Sequence, residues 1–280
     1  MDVAAKRADH VSGRRCPRQT MMPNAPRMIG DRLLFSCRLE TVSERPDIMS
    51  ARALEMTAVR DTDITFLGSN PNLRVLYLGE AQTLQGIAAL QQIRELVLLH
   101  IPKVHSLEPL AALRDLEILT ISTPPSWDAS RKCMEIETLE PLQHLTGLRA
   151  LSLTGVRPMQ SGLQPLQAMK GLRQLVISHV YDFGLEEYAE LAAHLPSTAG
   201  ACLQPCFSMG FALPCRKCGR QTVFLTGPKP HTRRYLCVSC DRPRLEEHIA
   251  RWNTLSGSAF PYPAAAEDVA LFPPVHYTGP

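Results

Sequence analysis

LEPLAALRDLEILTIS (107–122) and LEPLQHLTGLRALSLT (139–154) are two copies of one pattern. In each, apolar residues first fall three apart: Leu107, Leu110, Leu113 and Leu139, Leu142, Leu145. The frame Leu-x-x-Leu-x-Leu/Ile follows, at Leu116, Leu119, Ile121 and at Leu148, Leu151, Leu153. The same frame recurs at Leu73/Leu76/Leu78, Ile93/Leu96/Leu98 and Leu172/Leu175/Ile177, its last positions lying 20, 23, 32 and 24 residues apart. A degenerate copy with Leu54 and Met56 opens the array, and the period-three series returns at Leu84, Ile87, Leu90 and at Leu163, Leu166, Met169. Alternation in Leu-x-Leu is that of a strand with one buried face. A period of three is that of a 3-10 turn packed on the strand layer. One such unit cannot bury its own apolar face, so copies must stack, and five or six exceed the minimum of about three. The spacing predicts an α/β solenoid over 46–200, with parallel strands on its concave face and short helical or 3-10 segments on its convex face.

The two quoted stretches resemble the short bacterial leucine-rich repeats of the internalin type, a resemblance that covers about half the chain. It implies binding of a macromolecule through the concave strand face. The chain departs from that pattern where an Asn ladder is usual: Ala81, Ile101, Pro124, Val156 and Val180 stand there. The turn after each strand must therefore satisfy its backbone groups in another way. Strand alternation puts Val75, Tyr77, Gly79, Glu95, Val97, Leu99, Ile118, Thr120, Ser122, Ala150, Ser152, Thr154, Gln174, Val176 and Ser178 on the concave face. Only Glu95 among them is charged, and a strip of apolar and small hydroxyl residues suits a protein partner better than a phosphate backbone. Tyr77, Glu95, Val97, Leu99, Thr120, Ser152 and Val176 are the expected contacts, unless a neighbouring segment folds back over them. The longest interval between repeats holds TPPSWDASRKCMEIE (123–137), read as a loop on one edge whose Trp127 is a further contact candidate.

Nine cysteines include Cys215-x-x-Cys218 and Cys237-x-x-Cys240, separated by 18 residues. Two cysteines three apart can grip one ion from a tight turn, and two such knuckles resemble a zinc ribbon. Four thiolates leave no open position for water, which predicts one structural zinc. Cys202, Cys206, His231 and His248 are not needed as ligands, although Cys202-x-x-x-Cys206 offers alternates. A helix is expected from Pro243 to Leu255, capped by Asp241 and ended by Gly257, with Leu245, Ile249 and Trp252 on one stripe. The domain reading is 1–45 without structure, 46–200 solenoid, 201–214 linker or cap, 215–257 ribbon and helix, and 258–280 a structureless tail.

The formal net charge of +3 is unevenly spread: 11 basic against 7 acidic residues over 1–60, 10 against 15 over 61–200, and 9 against 5 over 201–280, giving +4, −5 and +4. The acidic middle argues against nucleic acid on the solenoid. The basic ribbon, with Arg216, Lys217, Arg220, Arg233 and Arg234, keeps such a contact open. No run approaches the roughly 18 apolar residues that span a bilayer, and the Arg-rich start lacks the apolar core of a signal peptide. An organellar leader is the other reading of that start, and Asp2 and Asp9 count against it. No phosphate-binding loop, nucleophile elbow, metalloprotease helix or dinucleotide fingerprint is present. The expectation is a cytoplasmic, non-catalytic adaptor that binds a protein partner, with no membrane or small-molecule ligand. The alternative is a nucleic-acid-associated regulator acting through the ribbon.

Overall fold

A computed structural model of the chain describes residues 27–29, 32–36, 46–57, 63–123, 133–178, 183–209, 213–227 and 234–271. Strands β1 (Arg27–Ile29), β2 (Arg32–Ser36), β3 (Ala53–Thr57), β4 (Val75–Gly79), β5 (Glu95–Leu99), β6 (Ile118–Ser122), β8 (Ala150–Thr154) and β10 (Gln174–Ile177) form one eight-stranded sheet in that order. All neighbours from β2 to β10 are parallel, and β1 folds back antiparallel on β2. Leu54 pairs with Leu76 and Met56 with Leu78, the register that the repeat frame requires.

Between strands the chain takes the expected 3-10 turns at Ile87–Ala89, Glu108–Ala112, Glu140–His144 and Gln164–Ala168. Pro109, Pro141 and Pro165 sit at the start of the last three, where a missing N–H leaves no internal bond unmade. Both apolar series are buried in one continuous core running from Ile48 to Trp252.

Without an Asn ladder, the turns close by extending the strand ladder one residue. Glu80 N–H donates to Leu99 O (2.8 Å), His100 N–H to Ser122 O (2.7 Å) and Thr123 N–H to Thr154 O (2.8 Å). The hydroxyl of Thr123 takes over one further duty, accepting the buried Ile101 N–H at 3.0 Å. Thr123→Val keeps the shape and leaves that N–H unpaired, so we expect a loss of about 1–3 kcal/mol, read as a lower urea midpoint with unchanged m-value.

Three expectations are corrected here. Residues 27–29 and 32–36, placed in a structureless N-terminal stretch, form strands, because Leu33 and Phe35 continue the register onto Leu54 and Met56. The insertion does not leave the repeat as a loop throughout: β7 (Met134–Ile136) pairs in parallel with β9 (Val156–Pro158), burying Met134 and Ile136. Trp127 lies outside the described residues. The tail is ordered as far as Leu271, since Phe260, Tyr262, Ala266 and Val269 pack on the ribbon.

The short helix α1 (Pro46–Ser50) is held to the first repeats by the fully buried Asn70, whose amide donates to Ile48 O and Ala51 O at 2.9 Å each. At the far end, Leu175 N–H donates to Ala199 O (2.9 Å) and Ala199 N–H to Arg173 O (2.8 Å), closing the edge of β10. Gly200 is needed there, since a Cβ would come within 2.3 Å of Leu175 O. The convex segment of this last repeat is a full helix, α2 (Leu185–His194), with Tyr188, Ala189 and Leu191 buried.

Candidate functional site

The concave face is set by strand register. Its middle row runs Glu55, Tyr77, Val97, Thr120, Ser152, Val176 across adjacent strands. The two halves of that row differ. Tyr77 and Val97 are only 8% and 7% exposed, so these expected contacts are not on offer. Tyr77 lies between Glu55 and Val97 and covers one side of Val97, and the Tyr77 hydroxyl donates to Glu95 Oε1 at 2.9 Å, occupying Glu95 as well. Leu99 is half-buried. From β6 onward smaller neighbours leave the face open. Ile118 is 40% exposed, Gln174 is exposed, and Thr120, Ala150, Ser152 and Val176 are partly so. Ser122 and Thr154, in the next row, are buried.

The second site lies beyond α2. Strands β11 (Cys206–Phe207), β12 (Thr222–Leu225) and β13 (Tyr235–Cys237) form a three-stranded antiparallel sheet, followed by helix α3 (Arg242–Ser256). Cys215, Cys218, Cys237 and Cys240 come together with all four sulfur atoms within 4.8 Å of one another. A tetrahedron of metal–sulfur bonds of about 2.3 Å has edges of about 3.8 Å, and Cys218 Sγ stands 3.5 Å from Cys237 Sγ. The donor set therefore fits one tetrahedral metal ion. Cys202, Cys206 and His248 stand apart from it: burial pushes both thiols up to about 12, and His248 Nε2 contacts Pro205 O at 2.9 Å. His231 lies outside the described residues.

Local backbone builds each knuckle. Gly219 N–H donates to Cys215 O (2.8 Å) and Cys215 N–H to Arg220 O (2.7 Å), a turn closed by Gly219 at φ 73°, where a side chain would be strained. The backbone N–H groups of Lys217 and Cys218 hold the Cys215 thiol down at about 7. A hydrogen bond with Cys218, and then burial, pushes Cys240 up to about 12. Four thiolates this close repel one another, and a bound cation supplies the opposite charge that lets all ionise.

Asp241 corrects a further expectation. Its carboxylate caps no N–H of α3; Asp241 Oδ2 accepts the buried Cys237 N–H at 2.9 Å, bracing the second knuckle. The stripe on α3 serves two cores. Leu245 and Ile249 pack with Val223, Leu225 and Leu236 inside the ribbon, whereas Trp252, 1% exposed, belongs to the solenoid core with Tyr188 and Leu191. Arg251 of α3 pairs with Glu186 of α2. The ribbon is thus docked on the last repeat, a contact that the sequence left open.

Among the basic residues, Arg216, Lys217 and Arg234 are exposed. Arg220 donates to Ser239 Oγ at 2.6 Å, tying one knuckle to the other, and Arg233 lies outside the described residues. Among the described residues no helix is long and apolar enough to cross a membrane.

Parallel strands in repeat register, joined by 3-10 turns and closed by a four-cysteine module, make this a leucine-rich-repeat solenoid with a C-terminal cap. No known protein family's profile matches the chain, and no curated protein does. Solved structures similar to it include an internalin C2 from Listeria monocytogenes, 25% identical over 59% of this chain and 68% of that one, with a TM-score of 0.40. An internalin F from the same organism is 19% identical over 59% of this chain and 58% of its own length, with a TM-score of 0.30.

Proposed function

We propose that the chain is a non-catalytic adaptor that binds a protein partner on the open half of its concave face, with one structural zinc in the cap. The observation that carries this reading is the uncovered strip of Ile118, Thr120, Ala150, Ser152, Gln174 and Val176 on a rigid sheet. Apolar and small hydroxyl side chains on a preorganised surface offer complementarity without fixed charge. Zinc is the metal that four cysteine sulfurs in a tetrahedron favour, and a coordination sphere filled by protein leaves no place for substrate water. We place the chain in a reducing, cytosolic compartment, where such thiolates stay available.

A photo-crosslinking residue at Ser152 is expected to capture a partner protein that the same residue at the exposed, convex Gln143 does not. Thr120→Trp, which fills the strip beside Ser152, should abolish the adduct. Identical adducts at both positions, or an adduct indifferent to Thr120→Trp, would end this reading.

Nucleic-acid contact through the ribbon is the second reading, favoured by the exposure of Arg216 and Lys217. It is the weaker one. Arg220 is held by Ser239, and four thiolates around a divalent ion carry about −2, offsetting the neighbouring positive charge.

A further inference from the structure

One column of the solenoid carries charge that neither proposed site uses. At the opening of each strand a single carbonyl accepts two N–H groups from the next repeat: Arg52 O from Arg74 and Val75, Arg74 O from Arg94 and Glu95, Arg94 O from Glu117 and Ile118, Glu117 O from Arg149 and Ala150, Arg149 O from Arg173 and Gln174. These paired bonds, 2.7–3.2 Å long, hold the residues at this position in line across adjacent strands, about 4.8 Å apart. Five of the six are arginine. Nothing in the core frame demands it, because the buried positions lie to either side.

The column divides by what its side chains already bind. The Arg74 guanidinium donates to Pro71 O and Leu73 O, bracing its own turn. Arg94 takes both nearby carboxylates, Asp115 at 3.0 Å and Glu117 at 3.8 Å. Arg149 and Arg173, the residues immediately before β8 and β10, are exposed and have no side-chain partner among the described residues. Arg114 is likewise exposed and without a side-chain partner among the described residues, and its carbonyl accepts Gly147 N–H at 2.9 Å, which sets it in the neighbouring repeat. With Asp115 and Glu117 engaged by Arg94, these three guanidinium groups have no carboxylate partner among the described residues, on the rim that borders the open half of the concave face.

We infer that this arginine rim receives an extended, carboxylate-rich segment of the protein partner. The inference rests on the adaptor reading and adds the chemistry of the partner to it. Arginine's planar fork matches a carboxylate in two parallel hydrogen bonds, a geometry that a lysine point charge lacks. A nucleic-acid backbone fits less well: Glu117, with Asp115 beside it, interrupts the column that regularly spaced phosphates would have to follow. Discrete carboxylates engage the free arginines without running across that interruption.

The test is titration of the full-length chain with fluorescent poly-L-glutamate at low salt, set beside an oligo(dT) of matched charge. Poly-glutamate binding is expected, weakening as salt screens it. Arg149→Ala with Arg173→Ala should lower its affinity by roughly tenfold, whereas Arg216→Ala with Lys217→Ala leaves it unchanged. The crosslink at Ser152 and poly-glutamate binding are read in separate experiments, so loss of the one and loss of the other report separately on the adaptor reading and on this one. Absence of poly-glutamate binding, or binding indifferent to the double arginine variant, overturns the inference. Tighter, column-dependent binding of oligo(dT) overturns it in favour of a phosphate ligand.

Discussion

Cys237→Ser is expected to lower the melting temperature of the entire chain, and not only of the segment that carries the cysteines. Cys237 is the most enclosed of the four ligands: it is fully buried, its N–H is held by Asp241, and its sulfur accepts Cys240 N–H at 3.5 Å. Losing one thiolate of four removes most of a metal-binding free energy on the order of 10 kcal/mol in finger-sized modules. The ribbon has too small a core of its own to survive that loss. Because Trp252 sits in the solenoid core, unfolding of the ribbon strips the cover from α2 and from the last repeat. Calorimetry should show one transition at lower temperature, and elemental analysis less than one metal per chain. A solenoid transition left where it was, with a separate early melt, would mean that the ribbon is merely tethered.

Trp252→Ala separates docking from metal binding. Removing a fully buried tryptophan costs about 3–5 kcal/mol, and here the cavity opens on the solenoid side of α3. Leu245 and Ile249, which close the ribbon core, are untouched. The expected result is full metal content with a lowered denaturation midpoint and faster proteolysis between α2 and β11. A variant that loses both metal and stability would place Trp252 in the ribbon's own fold, and one that loses neither would mean that the interface carries no energy.

The repeat was legible because leucine spacing is a direct image of burial in a solenoid. Leu76, Leu96, Leu119, Leu151 and Leu175 are each aligned by sequence and paired in register. The cysteine knuckles were legible for a similar reason, since close spacing in sequence forces close spacing in space. What the sequence hid depends on contacts between distant segments. Leu33, Leu34 and Phe35 stand in a stretch without apolar period, and Arg32–Ser36 becomes a strand of the array through its neighbour β3. Phe260, Tyr262 and Val269 follow no helical or strand period, yet they bury against the ribbon. Asp241 has the form of a helix cap, yet its carboxylate serves a cysteine turn by accepting Cys237 N–H. Alternation placed Tyr77 and Val97 on the correct face, but it carries no information on how closely their cross-strand neighbours crowd them.

During synthesis the repeats leave the ribosome before the residues that close them. Domains fold as they emerge, N-terminal parts first, so the stack can form while the chain from Ala199 onward is still being made. At that stage the edge of β10 lacks the Ala199 bridge, and the apolar flank of α2 lacks Trp252. An open edge next to an apolar surface is where nascent chains associate wrongly. If the four sulfurs hold the ion proposed for them, completion requires both the residues from 199 onward and that ion. On that proposal a cell short of the metal would accumulate chains with finished repeats and an unsealed end, and metal supply would act as a checkpoint on maturation.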